Sequence, residues 1–218
     1  GLRALAELAK RDAAMAAEFM KDGVAFNYAF DVLKTDATNI SRMLPALALL
    51  EQCAGSNVEG AQTMVDNGAI GALLNAIRMN VSNPVVQCRS VDVLGTLGKS
   101  LGVAAFLEAG GLRALLEALE VANKHETNSV ATRVLTVLND LASNDRDFAD
   151  AFLNSRGMDL LNETMEIFQN EENVLVAVAA LMKTLGEMTG SLEKIFSSKT
   201  YKKLVQMMNL HPEMEKLA

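Results

Sequence analysis

The sequence predicts an all-α protein built as a solenoid of helical repeats, and two observations carry that prediction. First, half of the 218 residues are hydrophobic but only 5% are aromatic, Trp is absent and Pro occurs three times. Ala, Leu and Met, which favour helices, are plentiful, and the enrichment in β-branched and aromatic residues that strands show is missing. Second, short motifs recur with a common period of about 44 residues, which is typical of stacked helical units.

The clearest motif is Leu-x-x-Leu followed by a small residue. Its fourth position falls at Leu8, Cys53, Leu97, Leu141 and Leu185, in steps of 45, 44, 44 and 44 residues. One unit of this length has too little interior to be stable alone, so neighbouring units must bury their Leu-rich faces against each other. We therefore interpret the Leu, Val and Met stripes as core.

Two further motifs keep the same period. A short apolar segment ends in Gly at residues Gly23, Gly68, Gly110 and, with one extra residue, Gly157. Gly at these points is suited to a left-handed helix terminus. A polar break recurs at Asn39, Asn83, Asn128 and Asn173. We predict that each of these Asn residues is an N-cap, because its side chain can accept a hydrogen bond from a free N–H of the first turn.

Each unit is predicted to contain three helices. The first is short, as in 103–109; the second is apolar, as in 70–77, 112–119 and 158–167; the third is the longest, as in 129–142. The whole chain is predicted to be one array. It opens with a partial repeat at 1–10, continues with repeats at about 11–55, 56–99, 100–143 and 144–187, and closes with a partial repeat at 188–218. Neither end shows a polar cap, so we expect further repeats or a partner to cover at least one end.

A Gly or Gly-Gly between a short helix and a Leu-Leu helix resembles the armadillo repeat. The residues that carry the resemblance are 67–74, 109–116 and, for the third helix, 137–142. HEAT repeats, which lack the short first helix and the Gly bend, are the second alternative. The resemblance implies a right-handed superhelix of three-helix repeats whose third helices line a concave face that binds protein or peptide.

Nuclear-import adaptors with this fold grip an extended basic peptide through ladders of Asn and Trp on that face. Here the positions of the Asn ladder map to Glu7, Gln52, Thr96, Asp140 and Thr184. The positions of the Trp ladder map to Arg3, Ala48, Asp92, Thr136 and Ala180. Both ladders are missing, so the sequence disfavours binding of a classical import signal.

The predicted concave face instead carries side chains of mixed polarity. The candidate partner-binding residues are Arg89, Asp92, Thr96, Lys99, Arg133, Thr136, Asp140 and Thr184. The first four are three or four residues apart, so they share one helix face, and the set from Arg133 repeats the arrangement 44 residues later. Two interpretations stay open: a solvated surface with local ion pairs, or the central part of a partner site.

Composition and spacing disfavour several other functions. A net charge of −7 disfavours nucleic acid and anionic lipid as partners, and no apolar run is long enough to span a bilayer. Cys53 and Cys88 lack metal or redox spacing and are expected to be free thiols. The histidines, His125 and His211, have no ligand set around them. The segment 95–100 ends like a phosphate-binding loop but is placed on a helix and lacks the first Gly.

The sequence therefore predicts a non-catalytic scaffold or adaptor for protein partners, without cofactor or metal. Its expected location is the cytoplasm, a cytoskeletal or ciliary assembly, or the nucleus, and it is expected to be a subunit of a larger complex. The alternative is a regulatory or docking arm of a larger enzyme whose catalytic domain lies elsewhere. Fold alone does not choose between these functions.

Overall fold

The computed structural model describes residues 1–190, 195 and 199–210, and every regular element in this part of the chain is an α-helix. In chain order the helices are α1 (Leu2–Arg11), α2 (Ala13–Asp22), α3 (Val24–Thr35), α4 (Ile40–Ser56), α5 (Val58–Asp66), α6 (Ala69–Met79), α7 (Pro84–Leu101), α8 (Val103–Glu108), α9 (Gly111–Lys124), α10 (Asn128–Asn144), α11 (Arg146–Leu153), α12 (Gly157–Ile167), α13 (Glu172–Thr189) and α14 (Lys199–Leu210).

These helices form two compact units, Gly1–Ala114 and Leu115–Ala218, whose boundary falls inside α9. In the first unit the third helices α1, α4 and α7 pack successively, and the second helix α3 packs on α6. In the second unit α10 packs on α13, and α12 packs on α14. Third helix thus packs on third helix and second on second, which is the arrangement of an α-solenoid.

The predicted three-helix unit is confirmed. The first helices are α2, α5, α8 and α11; the second are α3, α6, α9, α12 and α14; the third are α1, α4, α7, α10 and α13. Their bounds agree with the predicted ones within a few residues. The prediction that 1–218 is a single array stays a prediction. In the closing partial repeat, residues 191–194, 196–198 and 211–218, including His211, lie outside the described residues.

The glycines that end the first helices serve two different purposes. Gly23, Gly68 and Gly110 have φ values of 76°, 83° and 81°, so the predicted left-handed terminus is confirmed at these three positions. Gly157 was predicted to do the same but is the first residue of α12. A Cβ there would lie 2.5 Å from the ring of Phe152, so this Gly leaves room for an aromatic side chain.

The predicted N-caps are correct only in part. Asn83 caps α7 by accepting from the backbone N–H of Val86, and Asn39 occupies the cap position of α4 without such a bond. Asn128 and Asn173 are wrong, because each lies inside the first turn of its helix. The side-chain caps at the starts of first helices are Asp12, Asn57 and Asp145. At these tight bends from the third helix the extended cap residue can turn its side chain onto the free N–H groups.

Buried polar side chains join successive second helices. Asn80, at the end of α6, donates to the backbone carbonyl of Ala37 at 2.8 Å. Asn123, near the end of α9, and Thr164, in α12, are 2% and 0% exposed and hydrogen-bond each other at 3.0 Å and 3.2 Å. Because an unpaired buried polar group is costly, these bonds fix how one second helix lies on the next.

Replacing Thr164 by Val is expected to lower the free energy of unfolding by about 1–2 kcal/mol, because it leaves the buried amide of Asn123 without this partner. Urea denaturation followed by circular dichroism measures the change. Thr132→Val is the matched control, since the hydroxyl of Thr132 bonds only within its own helix, to the carbonyl of Asn128. Equal effects of the two substitutions would contradict the role of the Asn123–Thr164 pair.

Candidate protein-binding surface

Third helices carry all eight of the predicted binding residues. Arg89, Asp92, Thr96 and Lys99 lie on α7 in the first unit; Arg133, Thr136 and Asp140 on α10 and Thr184 on α13 lie in the second. None of the eight is buried. The ten positions that correspond to the Asn and Trp ladders are also solvent-accessible. These residues are therefore accessible to solvent, and their role in partner binding stays a prediction.

In the first unit, charged groups converge around Arg89. A guanidinium nitrogen of Arg89 lies 3.7 Å from a carboxylate oxygen of Asp92, one turn further along α7. It lies 3.8 Å from a carboxylate oxygen of Glu51 on the neighbouring third helix α4. The side chain of Arg89 is 53% exposed, and those of Glu51 and Asp92 are 27% and 13% exposed. We call these three residues the Arg89 cluster.

Glu51 was missed by the sequence analysis. It comes one position before Gln52, which was assigned to the ladder, and its counterparts 44 and 88 residues later are Gly95 and Asn139. No periodic signal could single it out. The feature of the sequence that could have indicated Glu51 is its charge, because it is an acidic residue on the helix that packs directly on α7.

In the second unit, the candidate residues do not form a cluster like that around Arg89. Arg133 and Thr136 are exposed on α10, and the hydroxyl of Thr136 donates to the carbonyl of Thr132 within the helix at 2.8 Å. Asp140 and Thr184 are half-buried. The backbone carbonyl of Asp140 accepts from the side chains of Ser143 and Asn144. The four candidate side chains here are one cation, one carboxylate and two hydroxyls.

The segments whose sequence resembles a catalytic or nucleotide-binding site lie in helices and turns. Residues 95–100 lie inside α7, not in a loop after a strand. His125 lies in the turn between α9 and α10. Glu171 precedes α13 and accepts from the amide of Asn128 at 2.7 Å, and Glu172 opens the helix, where its charge complements the helix dipole. Within the described residues no group of His, Cys, Asp or Glu is arranged to hold a metal.

Cys53 is a buried free thiol, as predicted, and Cys88 is half-buried. Burial raises the pKa of the Cys53 thiol from 9.0 to about 12. The Cys53 thiol therefore keeps its proton in the folded protein at pH values where it has lost the proton in the unfolded chain. Its contribution to the free energy of unfolding is fully present below pH 9 and falls as pH rises toward 12.

Cys53→Ala removes this pH dependence of stability. The wild type should therefore lose its advantage in free energy of unfolding over Cys53→Ala as pH rises above 9, by up to about 1.4 kcal/mol per pH unit. Urea denaturation of both proteins at a series of pH values from 8 upward measures the gap. A gap that stays constant with pH would contradict the burial of a neutral thiol.

Solved structures of armadillo repeat proteins share this arrangement of helices. A designed armadillo repeat protein matches with a TM-score of 0.56 and 18% identity, over 95% of this chain and 90% of that one. A second, solved in complex with the peptide (KR)4, matches with a TM-score of 0.57 and 17% identity, over 94% and 89%. The chain has the armadillo-repeat fold. An engineered protein gives the same degree of similarity, with a TM-score of 0.55, 17% identity and coverage of 94% and 89%.

At these sequence identities the similarity establishes the armadillo fold alone and does not establish a function. No family model matches the sequence, and no curated protein matches it either. Among the described residues, no helix combines the length and apolar character needed to span a membrane. The armadillo fold places the Arg89 cluster on third helices, the elements that the sequence analysis assigned to partner binding.

Proposed function

We propose that this chain is a non-catalytic scaffold that binds a protein or peptide partner through the exposed side chains of its third helices. The observation that supports this most directly is the Arg89 cluster. A half-exposed guanidinium is oriented by carboxylates from two successive third helices. Arg held in this way can present its remaining N–H groups to a partner, and Arg is enriched in the residues that dominate protein interfaces.

The energetics of the cluster favour recognition over a structural role. Exposed ion pairs typically contribute about 0–1 kcal/mol to stability, because water screens the charges and ordering two long side chains costs entropy. The core of the first unit does not depend on these residues, since it is formed by side chains such as Leu47, Leu50 and Leu94, all with 0% exposure. Substitutions in the cluster should therefore change binding while leaving the fold intact.

Within the first unit the proposed binding residues are Thr96 and Lys99 beside the Arg89 cluster, and within the second unit they are Arg133, Thr136, Asp140 and Thr184. One armadillo neighbour was solved with the peptide (KR)4, so proteins of this fold can accommodate a peptide. This chain lacks both ladders, and its cluster mixes one cation with two carboxylates. We therefore expect a partner of mixed charge and not a Lys/Arg-rich import signal.

The test is an affinity pull-down from cell extract with the wild type, Arg89→Glu and Arg146→Glu, after circular dichroism has shown equal helicity. Arg146 is 66% exposed at the start of the first helix α11, where it pairs with Asp150 and donates to the backbone carbonyl of Thr189 at the end of α13. Its substitution therefore makes the same charge change at a residue outside the candidate binding set. A partner that is recovered by the wild type and Arg146→Glu but lost by Arg89→Glu supports the proposal. Identical partners for all three proteins would overturn it.

A further inference from the structure

The Arg89 cluster lies where the third helices α4 and α7 pack on each other, inside the first unit. It is not a repeated feature of such contacts. Where α10 packs on α13, the residues 88 positions after Glu51, Arg89 and Asp92 are Asn139, Ala177 and Ala180, none of which is charged. A partner that recognises the cluster therefore meets a single site and not a ladder of equivalent residues.

The carboxylates of the cluster hold Arg89 by charge and not by hydrogen bonds. Both contacts are made by the same guanidinium nitrogen, Nη1, at 3.8 Å from Glu51 and 3.7 Å from Asp92. These distances exceed the length of about 2.7–3.2 Å that N–H···O hydrogen bonds have. Arg89 is also the most exposed member of the cluster, at 53% against 27% and 13%. A partner that reaches the cluster therefore meets the guanidinium first.

The charges around Arg89 select a neutral partner group. A carboxylate of the partner would be attracted by Arg89 but repelled by Glu51 and Asp92, which lie 3.7–3.8 Å from the same nitrogen. A cation of the partner would be repelled by Arg89, which is more exposed than the two carboxylates that could attract it. A neutral group avoids both repulsions.

Among neutral side chains, aromatic rings complement a guanidinium most closely. The flat cation stacks on the negative face of a ring, and this contact strengthens as water is excluded. Arg, Trp and Tyr are also the residues that most often dominate protein interfaces, and such residues tend to face each other across an interface. An aromatic ring is therefore the partner group that fits the flat, oriented guanidinium of Arg89.

The surface next to the cluster is built from small side chains. On α4, Ala48 and Gly55 lie one helical turn before and after Glu51. A Cβ added at Gly55 would lie 3.4 Å from the methyl carbon of Thr96, so these two residues face each other across the contact between α4 and α7. Gly55 is exposed, and Ala48 and Thr96 are half-buried. None of these three positions carries a long side chain that could cover a ring site beside Arg89.

We propose that Arg89 stacks on an aromatic side chain of the partner protein, while Glu51 and Asp92 hold the guanidinium at Nη1. This inference rests on the proposed function, because it names the chemistry of the partner residue that the Arg89 cluster recognises. The roles are the reverse of those in the import adaptors, where the Trp ladder belongs to the armadillo protein and the cations belong to the peptide.

The probes are peptides selected from a phage-displayed library of random dodecapeptides on the full wild-type chain. We expect the selected peptides to share an aromatic position, and fluorescence anisotropy of labelled peptides measures their affinities. Arg89→Lys should weaken binding about fivefold or more, because Lys keeps the charge but loses the flat guanidinium. Replacing the shared aromatic residue by Leu should weaken binding similarly, and the two losses should not add, because they remove the same contact.

Arg146→Lys is the matched control, because it makes the same change at an exposed Arg outside the candidate binding set. It should leave the affinities unchanged, and circular dichroism should show equal helicity for all variants. Peptides that share Asp or Glu in place of an aromatic residue, or that bind Arg89→Lys as tightly as the wild type, would overturn the stacking contact. A library that yields no binding peptide would overturn it too.

The same peptides separate this inference from the proposed function. If Arg89→Glu abolishes binding but Arg89→Lys does not, the third-helix surface binds a partner by charge and only the stacking contact is wrong. If neither substitution changes binding, the Arg89 cluster is not the binding site and both proposals fail.

Discussion

Phe152→Ala is expected to lower the free energy of unfolding by about 3–5 kcal/mol, the usual cost of removing a fully buried aromatic side chain. Phe152 of α11 is 0% exposed, and its ring lies directly against the backbone of Gly157 at the start of α12. Gly157 has no side chain that could relax into the cavity left by the ring, so we expect a cost within this range.

Urea denaturation followed by circular dichroism measures this loss. Ile167→Ala is the control, since Ile167 is 37% exposed at the end of α12 and its substitution should change stability by less than about 1 kcal/mol. If Phe152→Ala were no more destabilising than the control, the contact between the first and second helices would not be a core contact.

The second large effect concerns Gly111, where we expect substitution by Ala to cost about 1–3 kcal/mol, the usual penalty for overpacking a core. A Cβ at Gly111 would lie 2.3 Å from the ring of Phe106, which is itself fully buried. The ring would have to leave its position between helices, and a close-packed interior resists that movement.

Gly71→Ala is the matched control, because Gly71 lies inside α6 and a Cβ there meets no atom within 4 Å. Gly in a helix interior is less stable than Ala by about 0.5–1 kcal/mol, so Gly71→Ala should raise stability. Thermal unfolding of both variants therefore tests whether the change in stability has opposite signs at the two positions. Stabilisation by both substitutions would contradict the Phe106–Gly111 contact.

The fold was predictable from the sequence because the repeat period, the helix faces and the glycine breaks agree with each other. The structural role of individual glycines could not be predicted from the sequence. Gly110 and Gly111 are adjacent, yet the first provides a positive φ of 81° and the second provides space for Phe106. Sequence shows that a side chain is absent, but only packing shows whether the backbone angle or a neighbour requires its absence.

The candidate binding surface was predicted in outline only. Helical spacing gave the accessible face of α7, including Arg89 and Asp92, because accessibility follows from the 3.6-residue period. Glu51 was missed because the contact that brings it to Arg89 joins two helices and has no counterpart in other repeats.

The hydrogen bonds that Asn80 and Asn123 make to the neighbouring repeat have different consequences for exchanging repeats. Asn80 binds a backbone carbonyl, at Ala37, which every residue type offers. Asn123 binds the side chain of Thr164, so it depends on the identity of one residue in the following repeat. A repeat that ends in Asn80 could therefore be duplicated or moved behind a different neighbour, whereas the segments that contain Asn123 and Thr164 must be inherited, or engineered, as a pair.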